Sequence, residues 1–230
     1  LDMFLINWHW FAASVIVCLI VASLYLRVTP ATYQRQAVML VKDDKTKGSS
    51  QELQALSELS GASISNSVDN EVYILRSFML MQEVVKRLNL NVNYVIKDGW
   101  LKKKTLYYDS PLKVWTDTDP TRGISMKMKL ADENSVHIFD MKYNGEEMEM
   151  DEIVSLGDTI SSPIGNLAVS LQENSPYVDK EVLVSINNIE NTTNAMLKKL
   201  TTGLLDKKST LIQLTLNEGN ITRADAVLNM

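Results

Sequence analysis

The sequence predicts an α+β protein, in which one N-terminal transmembrane helix is followed by a mixed α/β domain with a β-rich insertion. Three observations support this fold class: an uncharged apolar segment near the start, helical periodicity on both sides of the chain's middle, and period-two alternation between them. The resulting order is β, α, several β, α, β, α, which favours α+β over a doubly wound fold. We assign residues 1–29 to the transmembrane helix and its flanks, 30–230 to the domain, and about 91–185 to the insertion.

The transmembrane prediction rests on Trp8–Leu26, which are 19 residues without a formal charge. A helix of this length spans about 28 Å, close to the thickness of a bilayer's hydrocarbon core. Trp8, Trp10 and Tyr25 lie at its two ends, where amphipathic rings prefer the headgroup layer, and Arg27 follows. We predict that these four residues anchor the chain in the membrane.

The same segment has two other interpretations, a secretory signal peptide and a buried core helix. A secretory signal peptide usually has about 7–15 apolar residues and a small-residue cleavage pattern, and this segment is longer and lacks that pattern. A buried core helix would rarely be apolar all round with aromatic residues at both ends. Positive charges follow the span, which favours a cytoplasmic domain, but long domains are translocated largely regardless of charge. Local charge therefore leaves the orientation open.

In the first part of the domain, the sequence pattern predicts a strand and two helices. Residues 33–42 are extended with a β-rich apolar end, and residues 51–59 carry leucines at helical spacing. The Ser/Gly/Asn-rich residues 60–67 interrupt the helical pattern. A longer helix is predicted from a cap at Asp69 or Asn70 to about Leu88.

The middle of the chain changes to period two, which is typical of strands. Asn144 and Gly145 form a strong hairpin signal. Residues 102–104 predict a basic turn or short helix, and the acidic residues 146–152 predict a strand with one solvated face. Further strands are expected at residues 92–96, 112–116, 124–130, 136–141 and 167–171.

The C-terminal part returns to helices around one strand. Residues 188–205 predict a helix and residues 210–216 a strand. Thr222 is a plausible cap for a last helix, and we expect that helix to continue beyond Met230. The chain also begins with Leu1, which suggests a fragment of a longer protein.

Composition excludes several functional classes. The chain has 23 basic and 28 acidic residues and a net charge of −5, which argues against a nucleic-acid partner. One cysteine excludes an intrachain disulfide, and two histidines leave little for zinc.

Chemistry-bearing motifs are also weak. The five carboxylates of residues 146–152 lack the spacing of a calcium loop, so a solvated strand is favoured over a cation site. Gly203 precedes a Lys-Ser pair, but the first glycine of a phosphate-binding loop is missing, which favours a helix C-cap. We predict no catalytic residue, no cofactor and no metal.

One basic cluster is a candidate binding site. Lys102, Lys103 and Lys104 are consecutive, and Lys97 and Trp100 are close in sequence. Ammonium groups attract lipid phosphates and anionic glycans. A solvated turn is the alternative interpretation of the three lysines.

Several segments together carry a resemblance to a known family. These are a tyrosine-led strand directly after the apolar helix, a helix with the pattern Glu-x-x-x-Leu-x-Ser followed by Val-x-x-x-Leu-x-Leu, and a strand-to-helix tail. They lie at residues 33–41, 70–90 and 210–229. The chain resembles the chain-length determinant (Wzz-type) domain of bacterial polysaccharide co-polymerases. Residues 156–165 resemble the larger members that are fused to a C-terminal tyrosine autokinase.

The resemblance implies a location and a role. The span would cross the bacterial inner membrane once, with the main domain in the periplasm. The resemblance also implies that the chain assembles as a homo-oligomeric ring of about eight copies. Its partners would be the bilayer and the polysaccharide polymerase and export machinery, with the polysaccharide as a further candidate.

The implied function is to regulate the chain length and export of capsular polysaccharide, exopolysaccharide or O-antigen, by scaffolding rather than by catalysis. Any kinase domain of the full-length parent would lie outside this segment. Two alternatives stay open, namely the extracytoplasmic sensor domain of a signalling receptor and a membrane-anchored enzyme.

Overall fold

The computed structural model describes residues 8–29, 31–41, 62–99, 102–117, 120–121, 123–162, 165–172, 175–205 and 210–230. It confirms a mixed α+β chain with an N-terminal apolar helix and a β-rich body. The helices are α1 (Trp8–Val28), α2 (Ala62–Leu75), α3 (Phe78–Arg87), α4 (Ile189–Lys199) and α5 (Ile221–Leu228). The strands are β1 (Tyr33–Leu40), β2 (Val92–Lys97), β3 (Lys103–Leu106), β4 (Leu112–Thr116), β5 (Ile124–Asp132), β6 (Ser135–Tyr143), β7 (Glu146–Met148), β8 (Glu152–Ser155), β9 (Thr159–Ser162), β10 (Gly165–Leu171), β11 (Val182–Ile186), β12 (Leu200–Leu204) and β13 (Leu211–Glu218).

Helix α1 contains the predicted span. Its window Trp8–Leu26 has a mean hydropathy of 2.0, and 0% of it is buried against the rest of the chain. An unburied apolar helix argues against the core-helix interpretation, because a core helix covers its apolar surface with other elements. By length and composition the helix can cross a membrane, and a signal sequence meets the same criteria.

A three-stranded antiparallel sheet follows the span, in the order β1–β13–β12. Tyr33 pairs with Glu218 at one end of β1, and Leu40 pairs with Leu211 at the other. Helices α3, α4 and α5 cover one face of this sheet and share a single apolar core with it. The buried members of that core are Met81, Val85, Leu90, Met196, Leu200, Leu216, Ala224 and Val227.

The β-rich body is a sandwich of two sheets. The larger sheet has the order β3–β2–β11–β5–β6–β7, with β8 also paired to β6, and the smaller sheet has the order β4–β10–β9. One hydrophobic cluster contains residues of both sheets, so their inner faces pack together. Asn144 and Gly145, with φ of 55° and 86°, connect β6 to β7, which confirms the predicted hairpin.

A buried arginine joins the helix-covered sheet to the sandwich. Arg223 on α5 is 5% exposed, and its guanidinium donates to the carbonyl oxygen of Leu90 at 2.7 Å and to the Asn93 amide oxygen. Burial lowers the pKa of Arg223, and the nearby charge of Glu218 opposes this effect. The Asn220 amide adds a second link by donating to the carbonyl oxygen of Thr105 at 3.1 Å.

The predicted long helix is wrong in its extent. The structure has two helices, and the first already begins at Ala62, before the predicted caps Asp69 and Asn70. Ser77 separates them, because its hydroxyl accepts a hydrogen bond from the Leu80 amide at 3.3 Å and so caps α3. The predicted helix at residues 51–59 lies outside the described residues.

Local geometry corrects two predictions in the middle of the chain. Lys103 and Lys104 lie in strand β3, whereas a turn or short helix was expected. The acidic residues 146–152 do not form one strand, since β7 ends at Met148 and β8 begins at Glu152. Met150 lies between the two strands and is buried. Because burial of its apolar side chain is favourable, it favours the break between β7 and β8.

Two more corrections concern the last third of the chain. Helix α4 ends at Lys199, and the predicted helical residues 200–204 form β12, including Gly203, which pairs with Gln213 and caps no helix. Pairing with β13 supplies backbone hydrogen bonds along one edge of β12, which overrides local helical propensity. The cap of α5 is Asn220, whose side chain accepts from the Arg223 amide at 3.0 Å, and not Thr222.

We predict that Arg223→Met lowers the free energy of unfolding by about 3 kcal/mol, because hydrogen bonds to a buried charge are lost and the Leu90 carbonyl oxygen loses its donor. Urea unfolding followed by circular dichroism in detergent measures this. The control is Arg87→Met, which removes an exposed pair with Glu83 and should cost less than about 1 kcal/mol. Equal stability of the two variants would contradict the linking role of Arg223.

A second prediction concerns alkaline pH. The Tyr94 hydroxyl is buried and accepts from the Val114 amide at 2.9 Å, and burial raises its pKa to about 12. An unfolded tyrosine loses its proton near pH 10, so the stability from neutral Tyr94 is complete below about pH 10 and falls as the pH rises toward 12.

The decrease should approach about 1.4 kcal/mol per pH unit within that window. Tyr94→Phe should flatten the slope, whereas Tyr73→Phe, at an exposed tyrosine, should not. Unfolding measured at pH 9, 10 and 11 tests this, and parallel slopes for all three proteins would disprove the assignment.

Candidate functional site

The predicted membrane anchors all lie on one helix. Trp8, Trp10 and Tyr25 are exposed on α1, and Arg27 belongs to the same helix. Strand β1 begins at Tyr33, only a few residues after α1 ends. The Tyr33 end of β1 is therefore the end of the sheet nearest the span.

Helix α5 starts at this same end and runs away from it. Glu218 pairs with Tyr33, and Gly219 lies beside the carbonyl oxygen of Ala31. Farther along, the Arg35 guanidinium binds the Asp225 carboxylate at 2.7 Å, so the helix follows β1 from its span-proximal end.

The hairpin of β2 and β3 contacts the start of α5. Arg223 contacts Asn93 on β2. Asn220, the cap residue three positions before Arg223, contacts Thr105 on β3, and Thr105 pairs with Val95 on β2. The direction from Asn93 to Val95 along β2 is therefore the direction from Arg223 back to Asn220, which leads to the start of α5. The next residues in that direction are Lys97 and its partner Lys103.

The structure separates the three candidate lysines into two groups. Lys103 is exposed and directly opposite Lys97, and Lys102 is exposed beside them; we call Lys97, Lys102 and Lys103 the lysine hairpin. Lys104 instead donates to the Tyr177 hydroxyl and lies 3.4 Å from Asp109. These contacts raise the pKa of Lys104, with the Tyr177 hydrogen bond contributing most.

The lysine hairpin suits an anionic surface. Like charges directly opposite on neighbouring strands are destabilising, and a bound anion relieves that repulsion. A lysine near an anionic leaflet contributes about 1 kcal/mol of binding. Trp100 and Leu101 connect the two strands in sequence but lie outside the described residues.

Two exposed apolar surfaces lie on opposite sides of the sheet β1–β13–β12. Successive strand residues point to opposite faces, so Val38 and Leu40 lie on the face without helices, where Leu40 is 67% exposed. Met39 points to the other face, into a cleft of about 370 Å³ between the sheet and the helices. The apolar residues lining that cleft are Met39, Leu75, Leu80, Met81, Val84, Leu200, Leu214, Val227, Leu228 and Met230.

Two further clefts have polar linings. One of about 410 Å³ contains Arg223, Glu218, Lys199 and four asparagines, namely Asn93, Asn187, Asn188 and Asn191. The other, of about 230 Å³, has aromatic and basic residues. Sequence reasoning missed all three clefts, because each brings together residues from segments far apart in the chain.

Metal-binding chemistry has little support in the part of the chain that the structure describes. Within it, no group of three or more histidine, cysteine, aspartate or glutamate side chains is placed to hold an ion. In the acidic segment, Asp151 instead hydrogen-bonds to His137, and Glu147 pairs with Lys142 at 3.0 Å.

Comparison with protein-family models and with curated proteins finds no match for this chain.

We predict that Lys102 and Lys103 become protected by anionic lipid. The chain is placed in nanodiscs of phosphatidylcholine with or without phosphatidylglycerol, and acylation of each lysine is followed by mass spectrometry. The anionic discs should slow acylation of Lys102 and Lys103 about fivefold, as attraction of about 1 kcal/mol per lysine implies. Lys86, exposed at the end of α3, is the control. Equal rates in both discs, or equal protection of Lys86, would contradict a membrane-facing hairpin.

Proposed function

We propose that this chain is the membrane-anchored scaffold segment of a polysaccharide co-polymerase, with its main domain in the bacterial periplasm. In this role it regulates polysaccharide chain length and export by assembling side by side with its own copies and with the polymerase and export machinery. The segment carries no catalytic step. Any kinase activity belongs to other parts of a longer parent.

The observation that carries the proposal is the direct connection between the span and a sheet with two exposed apolar surfaces. Eight-residue β1 follows the apolar helix after a short link, so surfaces on β1 stay close to the anchor along the chain. Exposed apolar surface beside a membrane anchor favours contact between copies that are already concentrated in two dimensions.

The two apolar surfaces also support a ring over a two-fold dimer. Leu40 lies on one side of the sheet, and the cleft containing Leu80 lies on the other, so contact between them joins different surfaces. Such head-to-tail contacts close into rings when the rotation between neighbours allows it. A closed ring leaves neither surface exposed.

We predict that the chain extracted in detergent has a mass, by light scattering, that is a multiple of 25.9 kDa well above a dimer. Leu40→Lys should reduce this to a monomer, because burying an unpaired ammonium in the contact is costly. Gln36→Lys is the matched control, since Gln36 is exposed on the same face of the same strand. A monomeric parent, or equal masses for both variants, would contradict the scaffold.

Mixing two variants tests the head-to-tail arrangement. Leu40→Lys and Leu80→Lys each destroy one surface, so each alone should be monomeric and their mixture should form a heterodimer through the two intact surfaces. A mixture that stays monomeric contradicts the proposed pairing. In cells lacking their own chain-length regulator, the parent should narrow the polysaccharide length distribution on gels, and Leu40→Lys should not.

The polar cleft favours the second candidate, a sensor domain. Its four asparagine side chains offer amide groups to a small polar ligand. A ligand of the folded state raises the melting temperature. A monomeric chain that is stabilised by a small acid or polyol in a thermal screen would favour this alternative over the scaffold.

A further inference from the structure

The outer face of the smaller sheet of the sandwich carries an exposed tryptophan. In β4, Leu112 and Val114 are buried against the larger sheet, so Lys113 and Trp115 point outward. Trp115 is 52% exposed, although burial of an indole is strongly favourable. The exposed ring offers an aromatic surface for a ligand.

The cross-strand neighbours of Trp115 are small and leave its ring partly exposed. Trp115 pairs across the strands with Ala168, and Ala168 pairs with Thr159 on the next strand. Lys113 pairs with Ser170, and its ammonium lies 4.8 Å from the centre of the Trp115 ring. The outward row is therefore one aromatic ring beside small and hydroxyl-bearing residues, which forms a shallow platform.

A cleft of about 230 Å³ adjoins this platform. Tyr108, which is 54% exposed, lies in it together with Arg87, Asn89 and Gln172. Hydrogen bonds hold its polar groups in place: the Gln172 amide donates to the carbonyl oxygen of Tyr108 at 2.7 Å, and the Asn89 amide donates to that of Val114 at 3.3 Å. The cleft is thus built on fixed groups.

The charges of the cleft select the ligand. Among the described residues that line it, the charged ones are Arg87, which is paired with Glu83 at 2.7 Å, and Lys113, in a chain whose net charge is −5. Asp117 lies at the end of β4, and it is held by the Asn166 amide groups at 2.8 and 3.1 Å. The cleft therefore favours an anion that also has an apolar face.

We propose that the outer face of β4 and β10, with this cleft, binds an acidic oligosaccharide. The C–H face of a sugar ring stacks on Trp115 or Tyr108, the amide and hydroxyl groups bind sugar hydroxyls, and Lys113 and Arg87 bind a uronate carboxylate. The cleft is smaller than the range of about 300–1,000 Å³ usual for enclosed ligands, so it suits one or two residues of a longer chain lying across the face. The biological meaning of this binding rests on the proposed function, because the polymer must be present at the membrane.

Binding is tested with the full chain in detergent by isothermal titration calorimetry. The probes are tetragalacturonate and the corresponding oligomers of alginate and hyaluronan, with maltotetraose as the neutral probe. We expect at least one acidic probe to bind, to bind more weakly as salt increases, and to quench tryptophan fluorescence. Maltotetraose should bind at least about tenfold more weakly.

Variants locate the site. Trp115→Ala should weaken acidic-oligomer binding at least about tenfold, and Lys113→Gln, which leaves the aromatic platform in place, about threefold or more. Tyr73→Ala removes an exposed aromatic on α2 and should bind as the parent does. Melting curves show whether each variant is folded, and the exposed Lys113→Gln decides the matter if Trp115→Ala unfolds.

Three results would overturn the proposal: no binding of any acidic oligomer, equal binding of maltotetraose, or unchanged affinity in both cleft variants. The proposal would also be overturned if the cleft residues bound a second copy of the chain or a lipid disc and did not bind the oligosaccharides. Lost sugar binding with intact assembly contradicts this inference alone, whereas lost assembly with intact sugar binding contradicts only the scaffold.

Discussion

The arrangement of the whole domain depends on one buried cation. The Arg223 side chain extends from the short helix α5. Its guanidinium donates to the carbonyl oxygen of Leu90 and to the side-chain amide oxygen of Asn93, where the chain enters the sandwich. Its hydrogen-bond partners are neutral, so nothing there compensates fully for the cost of burying the charge. Only the branched, planar guanidinium offers donors in several directions from a buried position, and lysine cannot replace it.

This link also gives the sandwich a direction. Because α5 runs along β1, the contacts of Asn220 and Arg223 orient the hairpin of β2 and β3 relative to the sheet that follows the span. The lysine hairpin and the apolar surfaces of the sheet are therefore parts of one ordered series of contacts that begins at β1. Local charge could not reveal this order, because it is a property of long-range pairing.

Sequence reasoning succeeded where one face of an element is buried and the other is not. Met126 and Met128 point into the core while Lys129 points out, so their alternation predicts β5 directly. It failed where tertiary contacts override local preference, as at Leu200, where β12 replaces the end of a predicted helix. Short strands such as β11 escaped notice, because a five-residue apolar run lacks a diagnostic period.

Candidate sites were harder to predict than elements. Lys102 and Lys103 are adjacent in sequence, and a local pattern is enough to find them. Lys104 has the same local pattern, yet it contacts the nearby Asp109 and Tyr177, which lies far along the chain. The cleft beside Trp115 joins β4, β10 and the end of α3, and no single stretch of sequence contains its chemistry.

The pairing of β1 with β13 has a consequence for how the chain is made. Paired residues of these strands are separated by 171 to 185 positions, whereas the sandwich between them is built from nearer contacts. At a synthesis rate of about 5–20 residues per second, β1 waits roughly 10–35 s for its partner to emerge. During that time its backbone is unpaired, and closing so long a loop is a late, slow step. The strand that connects the anchor to the domain is thus the last to be secured, and nascent chains are most vulnerable to misassembly and proteolysis beside the membrane.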